Sequence, residues 1–130
     1  MTIWTDVVNF VRARHEVLEE SDTWLRFRLG LEGDRTQQVS VRKLPEVGGT
    51  AWIEISSPVG WAKSIDTASL LKLAGTAPVG GAAVVDGVAL LKHAMPLTDL
   101  GVREEFEPPL RLLATQADAF EQELTHADEF

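Results

Sequence analysis

The sequence predicts an α+β domain in which five antiparallel strands form one sheet and three helices pack on it, in the order α-β-β-β-α-β-β-α. Two observations predict this fold. Apolar residues recur every three or four positions near both ends of the chain, as in amphipathic helices, whereas in between they alternate with polar residues, as in half-buried strands. With 130 residues and no linker-like or repeated segment, residues 1–130 are predicted to form a single domain.

The first half of the chain is predicted to form a helix over residues 2–20 followed by a three-stranded meander. The helix has an apolar face formed by Trp4, Val7, Val8, Val11 and Leu18. The runs TWLRFRLGL, TQQVSVRKL and AWIEISS then alternate between apolar and polar residues. Because the turn EGDR between the first two runs is short, the strands are predicted to pair antiparallel, and a loop, PEVGGT, leads to the third.

A short helix is predicted in the middle of the chain, after an irregular segment PVGWAKSI. Asp66 has the side chain of an N-cap, and Gly75 is placed to end the helix, which covers residues 67–74. Its predicted buried stripe consists of Leu70, Leu71 and Ala74.

A second hairpin and a long helix complete the prediction. Asp86-Gly87 separates the β-compatible runs AAVV and VALLKHAM, and this pair is typical of a type I′ turn because both positions need a positive φ. Pro108 and Pro109 suit the first turn of the last helix. Its apolar face is formed by Leu110, Leu113, Ala114, Ala117, Phe120 and Leu124.

Composition excludes several classes of function. The chain has no cysteine, so thiol nucleophiles and Cys-based metal centres are excluded. Residues 104–130 carry one Arg and eight acids, which account for nearly all of the net charge of −8 and disfavour direct binding of nucleic acid. The N-terminal segment does not resemble a signal peptide and no apolar run is long enough for a membrane span, so we expect a cytoplasmic protein with no membrane partner.

No catalytic, cofactor or metal constellation is found in the sequence. The glycine-rich run GTAPVGGA lacks the ending of a phosphate-binding loop and leads into a strand. His15 with Glu19, and His126 with Asp128, supply too few ligands for a metal, and Ser56-Ser57 is not in a nucleophile elbow. We therefore predict no catalytic residue, no cofactor, no metal and no enzymatic activity.

Aromatic and basic residues share the polar face of the predicted meander. Trp and Arg are enriched where proteins bind one another, because they combine a large contact area with a polar group. Cover by another part of the same chain, or simple stabilisation of the strands, explains such residues equally well. The predicted partner-binding residues are Trp24, Arg26, Arg28, Arg42, Trp52 and Trp61.

Three further stretches are informative: WIEISSPVG, APVGGAAVVDGVALLKHAMPL and LLATQADAFEQELTHADEF. In these the chain resembles the YbjN and type III secretion chaperone-like family. The resemblance implies a twisted antiparallel sheet and a small, acidic, non-enzymatic protein that forms homodimers and holds an extended segment of a partner. It carries over no catalytic residue.

We therefore predict a chaperone-like or adaptor module that binds another protein or peptide through sheet and helix surfaces. Two alternatives stay open. One is a small-molecule sensor, regulator or enzyme with a pocket between helix and sheet, to which His93 contributes a polar group. The other is a subunit that only completes a larger assembly.

Overall fold

A computed structural model, which describes residues 3–98 and 100–125, has the predicted α+β architecture with one antiparallel sheet. The sheet has six strands rather than five, in the order β1-β2-β3-β4-β6-β5. The elements are α1 (Trp4–Arg14), β1 (Glu16–Glu20), β2 (Trp24–Gly30), β3 (Thr36–Val47), β4 (Thr50–Trp61), a 3₁₀ turn (Ala62–Ser64), α2 (Thr67–Thr76), β5 (Gly81–Val85), β6 (Val88–Pro96), the single turn α3 (Val102–Glu105) and α4 (Glu107–Thr125).

The additional strand is β1, whose residues were predicted to belong to the first helix. That prediction is wrong because α1 ends at Arg14, where His15 adopts an extended backbone. Glu16 then pairs with Arg28 and Glu19 with Arg26, across a bulge between Val17 and Glu19. Such oppositely charged cross-strand pairs stabilise a sheet. Because the paired residues are far apart in sequence, the local spacing of apolar residues, which predicted a helix, gives no indication of them.

The meander is confirmed, but its second and third strands are longer than predicted. β3 and β4 extend to a tight turn at Gly48 and Gly49, both of which have positive φ, so the predicted PEVGGT loop is mostly strand. β4 also continues through Pro58 to Trp61, which ends the strand instead of lying in an irregular loop. Pro58 is accommodated at a register shift between β4 and β6, where the regular hydrogen-bond ladder is interrupted.

The middle helix is confirmed at its start and differs at its end. The Asp66 side chain accepts hydrogen bonds from the backbone N–H groups of Ala68 and Ser69, as expected of an N-cap. The helix continues through Gly75 to Thr76. Leu70 is buried, but Leu71 is 63% exposed, so the prediction that Leu71 belongs to the buried stripe is wrong.

The second hairpin and the last helix are confirmed. Asp86 and Gly87 have φ of 50° and 80°, as a type I′ turn requires, and they connect the paired residues Val85 and Val88. α4 begins at Glu107 and packs on β4, β3 and β6.

All the long helices lie on one side of the sheet and enclose the core. Within the strands, residues of one parity are buried and their neighbours are half-buried or exposed. The buried strand residues include Leu25, Phe27, Leu29, Val39, Val41, Ile53, Ile55, Ala89 and Leu91. We call the opposite surface of β2, β3, β4 and β6 the open face, since no helix of the described residues packs on it.

Candidate functional site

The open face brings together five of the six residues predicted to bind a partner. Strand register places Trp24 opposite Arg42, and Arg42 opposite Glu54. Trp52 precedes Glu54 by two residues and therefore lies on the same face of β4. Both tryptophans are half-buried, so each of them presents part of its surface to solvent.

Trp61 is separated from this group. It ends β4, nine residues beyond Trp52, which corresponds to about 30 Å along a strand. It is exposed and pairs with Val88 at the start of β6. The position of Trp61 could not be predicted from the sequence, because the segment that begins at Pro58 was expected to be irregular and not to continue β4.

Acids from the edge strand neutralise two of the predicted arginines. Glu16 accepts a hydrogen bond of 3.2 Å from Nη1 of Arg28, and Glu19 forms an ion pair with Arg26. Arg26 also donates a hydrogen bond of 2.8 Å from Nη1 to Oε1 of Gln38. These contacts hold the two guanidinium groups along the sheet at the β1 end of the open face.

A triad of charges occupies the centre of the open face. Glu54 accepts from Nε of Arg42 at 3.0 Å through Oε1 and from Nζ of Lys92 at 3.4 Å through Oε2. Burial opposes ionisation of the Glu54 carboxyl, but the hydrogen bond and charge of Arg42 and the charge of Lys92 outweigh it, so the pKa of Glu54 lies below its ordinary value. Glu54 is consequently an anion at neutral pH, shared by two cations.

Two adjoining shallow depressions lie on the open face and together extend from β2 to the second hairpin. One, of about 430 Å³, is lined by Arg42, Glu54, Ser56, Val85, Leu90 and Lys92. The other, of about 310 Å³, is lined by Arg26, Gln38, Ser40, Ser56, Pro58, Val85, Asp86, Val88 and Leu90. In both, the second hairpin contributes the aliphatic side chains of Val85 and Leu90 together with one charged residue, Lys92 or Asp86, and the meander contributes polar or charged side chains.

The apolar part of these depressions was missed in the sequence. Val88 and Leu90 alternate with the buried Ala89 and Leu91, so the period of β6 does indicate that they lie on the open face. Their position beside β4 follows from the strand order, in which β6 and not β5 neighbours β4. No local pattern specifies that order.

The two edges of the sheet differ in charge. β1 carries three glutamates and a bulge, features that discourage pairing with another strand. β5 has no charged residue. Because Val85 and Val88 flank a two-residue turn and exchange backbone hydrogen bonds, the backbone N–H and C=O groups of Ala82 and Val84 point away from β6.

Among residues 3–98 and 100–125, the remaining candidate residues do not come together as a metal site. His15 stacks on Phe27 with ring centroids 5.4 Å apart, and burial is the main reason that the pKa of His15 is lowered. No cluster of three or more His, Asp or Glu side chains suited to a metal occurs in this part of the chain. His126 and Asp128 lie outside the described residues.

A further depression of about 460 Å³ lies on the helix side, between the β2–β3 turn and α4. It is lined by Leu31, Glu32, Arg35, Thr115, Asp118, Ala119 and Gln122, and Arg35 forms an ion pair there with the nearly buried Asp118. His93, which the small-molecule alternative placed in a pocket between helix and sheet, does not line this depression.

None of the helices in the described part of the chain has the length and apolar character needed to cross a membrane. No protein-family model matches the chain, and a search of curated proteins finds no significant match. The resemblance to the YbjN and type III secretion chaperone-like family therefore stays a prediction.

Proposed function

We propose that this protein is a non-enzymatic, chaperone-like or adaptor module that binds an extended polypeptide segment on its open face. The observation that carries the proposal is the composition of that face: half-buried Trp24 and Trp52, an aliphatic surface at the second hairpin, and cations held along the strands by ion pairs. Large aromatic side chains that are already partly ordered contribute contact area at low entropic cost.

Binding of a short random peptide library to the full chain tests this proposal. Peptides selected from the library are expected to bind with a lower affinity when Trp24 and Trp52 are both replaced by Ala, because the aromatic contact area is lost. Leu112→Ala, which removes an exposed apolar side chain from α4, serves as a matched control that should bind like the wild type. Equal binding by the double variant and the wild type, with both folded, would contradict the proposal.

We also propose a homodimer in which β5 pairs antiparallel with β5 of a second copy. A two-fold axis at Ala83 sets Ala82 opposite Val84 of the partner subunit, so that the outward-pointing backbone groups of both residues form hydrogen bonds. The same register sets Gly81 opposite Val85 of the partner subunit, so at both positions a small residue faces a larger one. The absence of charge on β5 favours this edge for pairing, because two copies of a chain with a net charge of −8 approach each other most easily at an uncharged strand.

The dimer is tested by sedimentation equilibrium of the full chain. Val84→Lys places a charge on the free edge and is expected to shift the protein towards monomer. Val47→Lys makes the same change at another exposed valine, beside the β3–β4 turn, and should leave the dimer intact. A monomeric wild type, or a dimer that tolerates Val84→Lys, would argue against pairing through β5.

The second candidate function, binding of a small molecule, is favoured by the depression that contains Arg35 and Asp118. A ligand there would raise the melting temperature by mass action. A metabolite screen by thermal denaturation distinguishes the two functions. A compound that stabilises the wild type but not Thr115→Trp, in which the larger side chain fills the depression, would support small-molecule binding. The absence of any stabilising compound would count against small-molecule binding.

A further inference from the structure

The charges around the two depressions on the open face are not equivalent. The depression at Arg42 has two cations, Arg42 and Lys92, and one carboxylate, Glu54. Its neighbour has one cation, Arg26, and one carboxylate, Asp86. Only the first has an excess of positive charge, and it lies in a chain whose overall charge is −8.

The geometry of the triad leaves this excess accessible to a ligand. Glu54 lies deepest, with a side chain 14% exposed, whereas the side chains of Arg42 and Lys92 are 57% and 46% exposed. A guanidinium has five N–H donors and an ammonium three, so the contacts with Glu54 use only part of their capacity. The remaining donors face solvent above a carboxylate that already holds both cations in place.

Aliphatic surface adjoins these cations. Val85, which is half exposed, and Leu90 line the same depression as Arg42 and Lys92. A ligand that fits both parts of the depression therefore has an anionic group next to an apolar one.

We propose that the polypeptide segment bound on the open face is acidic and apolar, with a carboxylate side chain held between Arg42 and Lys92 and a neighbouring apolar side chain packed on Val85 and Leu90. This inference rests on the proposed function and adds the chemical class of the partner to it. Charge-assisted hydrogen bonds to Arg and Lys are the strong interactions in such a site. The negative charge elsewhere on the protein opposes the approach of an acidic segment, so the preference must arise at this depression.

Fluorescence anisotropy with three labelled peptides tests the inference. The peptides are identical in length and apolar residues and carry Glu, Gln or Lys at the same positions, and their ends are acetylated and amidated so that no terminal carboxylate competes. We expect the Glu peptide to bind the full chain about tenfold more tightly than the Gln peptide, which is the change expected from one charge-assisted contact. Rising ionic strength should reduce this preference because salt screens exposed charges.

Variants locate the preference at the depression. Arg42→Gln and Lys92→Gln should each lower the Glu-over-Gln preference, whereas Arg103→Gln and Lys72→Gln, which remove the same charges from exposed positions on α3 and α2, should preserve it. Equal binding of the Glu and Gln peptides, or preference for the Lys peptide, would overturn the acidic class but leave the proposed function standing. Absence of binding by all three peptides, together with failure of the random library, would overturn both.

Discussion

The two faces of the sheet are built from the same strands and differ in almost every other respect. The covered face consists mainly of buried apolar residues such as Phe27 and Ile55, enclosed by α1, α2 and α4. On the open face the neighbouring residues, Arg26 and Glu54 among them, form ion pairs in contact with solvent. Alternation therefore places the buried core residues on one face and solvent-accessible residues on the other, which is the face we propose for recognition. Substitutions of adjacent residues should separate the two.

The largest expected difference is between Phe27 and Arg26 on β2. Phe27→Ala should reduce the free energy of unfolding by about 3–5 kcal/mol, because it removes a fully buried ring and leaves a cavity. Arg26→Ala removes an exposed ion pair and should cost at most about 1 kcal/mol. Urea denaturation measures both, and comparable losses for the two variants would contradict the assignment of stability to the covered face.

A smaller difference is expected between two adjacent serines of β4. Ser57 is buried on the covered face, where its Oγ donates to the carbonyl of Gln38 at 2.6 Å and accepts from Nε2 of Gln37 at 2.9 Å. Ser57→Ala should destabilise the fold by about 1–3 kcal/mol, because buried polar groups lose their partner. Ser56→Ala, on the open face, should change the free energy of unfolding by no more than about 0.5 kcal/mol.

Thermal and urea unfolding of the two serine variants check this expectation. A loss at Ser56 equal to that at Ser57 would indicate that the open face also contributes to the folded core, and it would weaken the contrast between the faces.

The smallest effect is predicted for Glu54. Since its pKa is lower in the folded protein than in the unfolded chain, ionised Glu54 stabilises the fold above its ordinary pKa of 4.5, and this contribution is lost as the pH falls through the folded-state pKa. Glu54→Gln should therefore cost under about 1 kcal/mol at neutral pH. Unfolding free energies measured from neutral to acidic pH should show wild type and variant converging below pH 4.5, and a difference that grows on acidification would contradict the sign.

Glu123→Gln is the matched control for the Glu54 experiment. Glu123 is exposed on α4, away from the sheet, so its replacement should give a much smaller difference from wild type over the same pH range. A pH dependence equal to that of Glu54→Gln would attribute the effect to overall charge rather than to the triad.

Patterns with a short sequence range predicted much of this fold. The period of two in β2, β3 and the first half of β4 identified which residues are buried, and Asp86-Gly87 identified its turn from the backbone conformation that it requires. The apolar spacing of α4 was equally informative. These features depend on interactions between residues a few positions apart, and for that reason they can be predicted from the local sequence.

Features that depend on distant residues could not be predicted. The residues of β1 were assigned to a helix, because the contribution of its glutamates to the sheet depends on their pairing with Arg26 and Arg28, which the local sequence does not specify. The candidate site was predicted in part: Trp24, Arg42 and Trp52 do share a face, but Lys92 and Leu90 join them only through the pairing of β6 with β4. Burial of Asp118 likewise depends on Arg35, which lies in a distant turn.

Backbone amide chemical shifts of the isotope-labelled full chain, followed during titration with a library-selected peptide, identify the residues at which the peptide binds. If the open face is the binding surface, the largest perturbations should fall on β2, β3, β4 and β6, centred on Arg42, Glu54 and Lys92, and α1 and α4 should change little. Perturbations concentrated on α4 or around Arg35, with the open face unchanged, would contradict it.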